Sequence, residues 1–348
     1  MAKISRYPNL DLLRALAVMI VVFYHCCNLI GVPFWMWKWL EVLGSSSVEL
    51  FCILSGFLIG SIYWEENDRV GKVNIKVFIL RRIYRTVPMY YFFMALAYLS
   101  VYVVRYQDFS WTYLFFLQNY ETEMPFYVIS WTLCVEEHFY LLMPFLVWLF
   151  LRIPKRLTIL SLIVLFVLPL LFRVLSYDDA IGQVFGFQVV ASHFRYESLL
   201  LGVVISQILR YHETFFDRLI PYKYFIYAAT FVIISSYVFL TILLKAQISV
   251  TLSGILYGLC LIVAVRGKPI ALATKPLTYK VAISSYSTYL AHSLWLHAWI
   301  YTFDYLGVTS AWIKIPIMFL WSFTIGYIVF RFLEKPIIRL RNRHIPAR

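Results

Sequence analysis

Arg14 and His25 stand eleven residues apart inside one apolar stretch, NLDLLRALAVMIVVFYHCC. On an α-helix that spacing is roughly three turns, so the two side chains share one face, roughly 16 Å apart along the axis. A guanidinium and an imidazole in hydrocarbon are costly unless they meet a cavity or a partner. A polar path should therefore run along the inside of this helix, with Asp11, one turn before Arg14, as a candidate partner. Snorkelling, or a hydrogen bond to a neighbouring helix, would explain either residue alone. The shared face tilts the reading toward function, because histidine is the usual general base for taking a proton from a hydroxyl near neutral pH.

Other groups have chemistry-bearing residues at helical spacing. In FILRRIYRTVPMYY, Arg82 and Arg85 are three apart and therefore neighbours on a helix face, with Arg81 beside them. Guanidinium forks suit bidentate phosphate recognition. The chain has no glycine-rich phosphate loop, so a nucleotide handle would have to be built from arginines such as these; the plain alternative is ordinary charge at a membrane boundary. In SWTLCVEEHFYLLMP, Trp131, Glu136, Glu137 and His138 sit where a loop enters a helix. Neighbouring helical residues point about 100° apart, so Glu136 and Glu137 face different surroundings. Acids near a helix start also simply complement its dipole. His193, Arg195 and Glu197 alternate in ASHFRYESLLLGVV, either to bind a polar substrate or to cap a helix. His292 and His297 lie in SYSTYLAHSLWLH, Glu334 lies in FLEKP, and Ser55-Gly56 in VELFCILSGFLIG reads most simply as close helix packing.

These residues need a membrane-spanning frame. The chain has 348 residues, 62% of them hydrophobic and 14% charged, which is the composition of an integral membrane protein. Apolar runs near 9–30, 46–64, 87–104, 136–152, 157–175, 194–209, 222–244, 249–265, 282–302 and 312–333 predict an all-α bundle of about ten transmembrane helices. The alternation that marks a membrane β-barrel is absent. The reading is one membrane-embedded domain over 1–348, with no soluble domain, no low-complexity linker and no internal repeat.

The net charge of +13 invites a nucleic-acid reading, and its distribution argues against one. With the N-terminus placed inside, 24 of the 31 Lys and Arg fall on inner segments, 6 on outer ones, and Arg14 lies within a helix. The positive-inside rule then puts both termini in the cytoplasm and favours an even number of helices. Lys3 and Arg6 before an apolar run imitate a signal peptide; Arg14 within that run, and the lack of a small-residue cleavage site, predict a retained first helix. The five cysteines show neither C-x-x-C nor zinc spacing, so no metal is assigned and they read as apolar filler. Two polar intervals decide the layout. The inner one, 65–87, ends in the arginine cluster. The outer one, 105–135, contains WTYLFFLQNY, too short to span and suited to a re-entrant or interfacial segment. Trp35, Trp37 and Trp39 fit an outer aromatic belt.

Taken in order, LDLLRALAVMIVVFYH, VELFCILSGFLI, FILRRIYRTVPMYY, SWTLCVEEHFYLLMP, SHFRYESLLLGVVIS, SYSTYLAHSLWL and EKP resemble the acyltransferase-3 family of multipass membrane O-acyltransferases, from residue 10 to about 336. One such motif is weak and seven in order are strong. The resemblance implies transfer of an acyl group, commonly acetyl from acetyl-CoA as co-substrate, to a hydroxyl of a surface-polysaccharide or lipid-linked glycan sugar, in a bacterial inner membrane. Carried over by motif, Arg14 and His25 match the family's Arg–x10–His pair, with His25 the acyl-transfer base. Arg82 and Arg85 match its R-x-x-R motif, linked with acyl-CoA, and Glu136 matches the first Glu of its W-S-L-x-x-E-E stretch. Thr132 in place of Ser, His138 in place of Gln and Glu49 in place of Asp are departures that leave the reaction class intact and the acceptor open. Some members of the family carry a C-terminal extracytoplasmic hydrolase-like domain; this chain ends just after its last helix, so the expectation is action alone or with a separate partner.

The resulting expectation is that acyl-CoA phosphates dock on Arg82 and Arg85 with help from Arg81, and the pantetheine arm enters past Arg14. His25 activates the acceptor or briefly carries the acyl group, and Glu136 orients His25 or binds sugar hydroxyls. Trp131, Glu137, His193, Arg195 and His292 are the candidate substrate-binding residues. Membrane lipid is the surrounding partner, and the oligomeric state stays open. An acyltransferase of a small hydrophobic metabolite is the alternative. A transporter or flippase for a polar molecule ranks lower, because transporters commonly show paired repeats and Gly/Pro-broken helices in matching halves, and neither is visible here.

Overall fold

In the computed structural model, residues 7–106, 108–175, 190–240 and 242–345 are described. Lys3, Arg6 and Arg348, counted in the charge asymmetry, lie outside them. Eleven α-helices carry the fold among the described residues: α1 (Pro8–Ile30), α2 (Phe34–Val70), α3 (Ile75–Arg105), α4 (Trp131–Phe150), α5 (Lys155–Leu175), α6 (Glu197–Tyr211), α7 (Lys223–Ser236), α8 (Ile242–Arg266), α9 (Pro276–Tyr305), α10 (Ala311–Val329) and α11 (Lys335–His344). No strand occurs among the described residues.

Nine of the ten apolar runs lie mainly in one α-helix, whereas the run 222–244 is broken: α7 ends at Ser236, and a 3₁₀ turn at Tyr237–Phe239 and an extended Leu240 follow. Eight helical segments are long and apolar enough to cross a membrane among the described residues. The two that fall short are α6, which has only 15 residues, and α9, which has the length but buries Ser284, Ser285, Ser287, Thr288 and His292. Both pack inside the bundle, α6 along α2 and α8, and α9 along α1 and α10. The protein is a multipass membrane protein.

Two elements differ from the sequence reading. α2 begins at Phe34 rather than near 46 and runs for 37 residues, about 55 Å, well beyond the roughly 30 Å hydrocarbon thickness. Only Gly31 to Pro33 separate it from α1. The stretch 65–87, read as an inner polar interval, is helical on both sides of a short turn at 71–74. Gly71 closes α2 in the left-handed conformation (φ 75°), and Asn74 caps α3 by accepting from the Val77 N–H. The arginine cluster therefore rides on the early turns of α3, on the helix face that its three-residue spacing implied.

WTYLFFLQNY forms two 3₁₀ turns, Trp111–Phe115 and Gln118–Tyr120. Irregular backbone at membrane depth is tolerated only where its polar groups find partners, and although Trp111, Phe115 and Leu117 are exposed, side chains of α3 engage this segment. The Tyr90 and Tyr91 hydroxyls donate to the carbonyls of Tyr113 (2.7 Å) and Leu114 (2.6 Å). Gln118, fully buried, donates to Tyr90 Oη and Ser130 Oγ, each at 3.0 Å.

α2 and α6 meet backbone to backbone. A Cβ at Gly56 would stand 2.0 Å from the Leu199 carbonyl oxygen, and one at Gly202 would stand 2.3 Å from that of Ile53. Gly56 is thus the packing residue its motif suggested, in the small-residue manner of membrane helices. Gly56→Val should separate the two helices and sharply lower the yield of monodisperse protein in detergent, read by size-exclusion chromatography. Yield equal to the parent would show that the contact tolerates side chains.

Two buried ion pairs brace the start of α6, one to α2 and one to α5. Arg195 pairs with Glu49 at 3.0 Å, and the Ser198 hydroxyl donates to the second Glu49 oxygen at 2.5 Å. Arg173 pairs with Glu197 at 2.6 Å, and Thr251 donates to the same carboxylate oxygen at 3.1 Å. Removing one partner of a buried pair leaves an uncompensated charge and costs about 3–5 kcal/mol. Glu49→Ala should therefore lower the thermal unfolding midpoint in detergent far more than a substitution on the exposed Asp68–Arg210 pair. Equal shifts would contradict a bracing role.

Candidate functional site

The polar residues inside the bundle fall into two layers. The first gathers the arginines. Arg14, on α1, lies within Coulombic range of Arg85, Asp11, Tyr140 and Glu136. Arg82 sits one turn before Thr86 on α3, its guanidinium carbon 5.5 Å from the centroid of the Tyr140 ring. Glu136 is gripped at both oxygens: the Ser55 hydroxyl donates to Oε1 at 3.0 Å and the Tyr140 hydroxyl to Oε2 at 2.9 Å. Glu334 comes from the opposite wall. A π-helical turn, Phe330–Glu334, rotates it inward, where the Ser287 hydroxyl donates to it at 2.5 Å and Arg85 and Arg14 lie within Coulombic range. Helices α1, α2, α3, α4 and α9 and the π-turn thus converge on one charged cluster. Such π-turns are frequent at functional sites.

Arg81 lies one residue before Arg82 on α3. Its guanidinium reaches the Ile345 carbonyl at 3.5 Å. Arg341, on α11, brings a fourth guanidinium within Coulombic range of Arg81, Arg85 and Arg82. Four arginines from two helices are thus gathered at one end of the bundle. Like charges gathered this closely repel one another in the absence of an anion.

The second layer contains the histidines. The rings of His25 on α1 and His292 on α9 lie 5.1 Å apart. The Nδ1 of His292 is 2.6 Å from the Tyr289 carbonyl oxygen. A carbonyl only accepts, so Nδ1 carries the proton and Nε2 presents a lone pair. That Nε2 is fully buried and has no hydrogen-bond partner among the described residues. His25 is partly accessible, and no hydrogen bond from a described residue engages its ring. Tyr289 links the histidines to α4: its hydroxyl donates to the Ile129 carbonyl and stands 2.9 Å from Thr132 Oγ1.

Glu136 belongs to the arginine layer, and no hydrogen bond joins it to His25 among the described residues. Of the two roles expected for it, orienting His25 therefore finds no direct contact, because both oxygens are occupied by Ser55 and Tyr140. Glu137 points elsewhere, as the 100° rotation requires. It is buried, within hydrogen-bonding reach of Thr86, and one of its oxygens has no partner. Arg195 is held by Glu49, with its guanidinium carbon 5.1 Å from the Trp131 ring centroid; through this contact Trp131 reaches the bracing network. His193 lies away from both layers, stacked on Tyr120 at 5.7 Å. His138 is near it, with Nδ1 2.6 Å from Ser192 Oγ. Together with Asn119, which donates to Ser192 Oγ at 2.9 Å, these residues form an aromatic and polar mouth beside the 3₁₀ turns. The five cysteines are buried and free.

Sequence reasoning missed Tyr140, Tyr289 and Arg341, and read Ser55 only as packing. Tyr140 had a signal, since it lies four residues after Glu136 on the same helix face. Arg341 had none, because only the tertiary fold brings α11 to α3.

A family model describing an acyltransferase domain matches residues 7–331. The chain belongs to the acyltransferase-3 family. The match covers Arg14, His25, Arg82, Arg85 and Glu136, and stops short of Glu334. Among the relatives of this acyltransferase-3 chain, a protein of Staphylococcus aureus (strain COL) named "Putative O-acetyltransferase" is 27% identical over 225 residues, 59% of this chain and 35% of that protein. Peptidoglycan O-acetyltransferase OatA of Listeria monocytogenes is 28% identical over 189 residues, 45% of this chain and 27% of that protein. O-acetyltransferase OatA of Staphylococcus aureus (strain NCTC 8325 / PS 47) is 25% identical over 220 residues, 57% and 34% of the respective chains. The chain thus spans about a third of the length of the curated relatives it matches. No solved structure matches it.

Proposed function

We propose that this acyltransferase-3 protein moves an acetyl group from cytoplasmic acetyl-CoA to a hydroxyl of a surface-polysaccharide or lipid-linked glycan sugar, with both termini in the cytoplasm of a bacterial inner membrane. The observation that carries the reading is the polar interior itself. Gathered arginines mark one layer, a histidine whose ring no described residue hydrogen-bonds marks the other, and Arg14 and His25 share one face of α1. The relatives named O-acetyltransferases support acetyl as the group transferred, and the one named for peptidoglycan supports a glycan acceptor.

The CoA phosphates bind Arg82 and Arg85, with Arg81 and Arg341 completing the anion site. Glu136, fixed by Ser55 and Tyr140, holds the guanidiniums apart and in place. The pantetheine arm passes Arg14 and delivers the thioester to His25. His25 takes the proton of the acceptor hydroxyl as its oxygen attacks the thioester carbonyl. The carbon–sulfur bond breaks, the ester forms, and the imidazolium returns the proton to the CoA thiolate. His292, with Nε2 as a lone-pair acceptor, aligns the hydroxyl or the His25 N–H. Holding the hydroxyl beside the thioester supplies the proximity contribution.

The test is release of free CoA thiol by purified protein in proteoliposomes given acetyl-CoA, with and without a muropeptide or polysaccharide acceptor. Release that depends on the glycan supports the reading. Release driven only by a small hydrophobic alcohol reassigns the acceptor, and no release with any hydroxyl contradicts transfer.

A further inference from the structure

Outside the site, α9 and α10 open a groove of about 330 Å³ at the basic end of the bundle, lined by Tyr279, Lys280, Ile283, Tyr327, Arg331 and Lys335 among others. Three cations from chain segments fifty residues apart meet there. No acidic residue lines the groove, and none of the three cations makes an ion pair with a described residue. Glu334 stands between Arg331 and Lys335 in the chain, yet it is turned inward onto Ser287, one turn beyond Ile283 on α9. The π-turn therefore sends the carboxylate to the interior and leaves the flanking cations outside.

The surroundings decide what anion fits. The adjoining surface exposes Leu277 (71%) and Phe332 (70%), with Ile328 beside them. This is an apolar, lipid-facing wall. Tyr279 and Tyr327 supply the amphipathic rings that favour the headgroup level. A cationic groove that opens sideways into hydrocarbon suits a ligand with a phosphate at one end and acyl chains at the other. We infer that this groove binds the phosphodiester headgroup of an anionic phospholipid. It is separate from the arginine layer: its cations face outward on α9 and the α10–α11 turn, whereas Arg82 and Arg85 face α4 and α1. Occupied, it would tie α9, which presents His292, to the π-turn, which presents Glu334.

Each basic residue near an anionic surface contributes about 1 kcal/mol, so removing all three should weaken retention by about 100-fold. The measurement is native mass spectrometry of the purified full chain titrated with phosphatidylglycerol or phosphatidylcholine of matched acyl chains. The expected result is saturable binding of phosphatidylglycerol over phosphatidylcholine, lost in Lys280→Gln/Arg331→Gln/Lys335→Gln. It should be retained in Lys280→Arg/Lys335→Arg, which controls for folding. Equal retention of the two lipids, or unchanged phosphatidylglycerol binding by the triple variant, would overturn the inference. Displacement by inorganic phosphate alone would reassign the groove to a free anion. Loss of acetyl-CoA binding in the triple variant would reassign it to the donor.

Discussion

His25→Ala is expected to abolish acetyl transfer while the protein remains folded in the membrane. General-base catalysis contributes about 10²–10⁴-fold, and the loss should reach at least that range. The substitution is unusually clean, because no hydrogen bond from a described residue depends on the His25 ring. Its ring contacts are with Tyr24 at 5.0 Å and His292 at 5.1 Å. Expression, detergent elution volume and thermal midpoint should therefore match the parent, while CoA release falls to background. His292→Ala should lower turnover less, since His292 positions rather than removes the proton. Its Nδ1 bond to the Tyr289 carbonyl also means that part of any loss will appear as altered stability. A His25→Ala protein that transfers acetyl at the parent rate would end the proposed mechanism.

Arg85→Ala should raise the acetyl-CoA KM with little change in the acceptor KM. Losing charge-assisted hydrogen bonds costs about 1.5–3 kcal/mol, or about 10- to 150-fold in donor affinity. Arg82→Ala should act in the same direction and also release the Tyr140 ring it covers, so its effect should include some loss of turnover. Arg85→Lys should recover only part of the affinity, because a point charge does not reproduce the bidentate fork. Steady-state kinetics with each substrate varied in turn separate these outcomes. A variant in which donor and acceptor KM rise equally would place the arginines in general bundle stability rather than in donor binding.

Much of this architecture was legible in the sequence, for identifiable reasons. Hydrocarbon forces backbone hydrogen bonds inside each segment, so long apolar runs predict helices directly, and nine of the ten lie mainly in one helix. The Arg14–His25 face followed from helical geometry alone. The divergence of Glu136 and Glu137 followed from it too, with Glu136 on Ser55 and Tyr140 and Glu137 near Thr86. What stayed hidden depends on contacts between distant segments. Arg195 looked like a substrate ligand because its partner, Glu49, lies 146 residues away. Glu334 read as a weak terminal signal because the π-turn that rotates it inward has no local sequence mark. The long α2 was cut short because the tryptophan-rich stretch that opens it reads as an interfacial belt. Periodicity cannot show that such a belt is already helical and continuous with the span.

We propose acetylation of a surface glycan through His25. The most direct test is mass spectrometry of surface glycans from cells expressing the intact chain, compared with cells expressing His25→Ala at equal membrane abundance. An acetyl mass increment, lost on mild alkaline treatment as an ester should be, is expected only in cells with the intact chain. Identical glycans in the two populations, alongside full CoA release by the purified protein with a non-glycan hydroxyl, would contradict it.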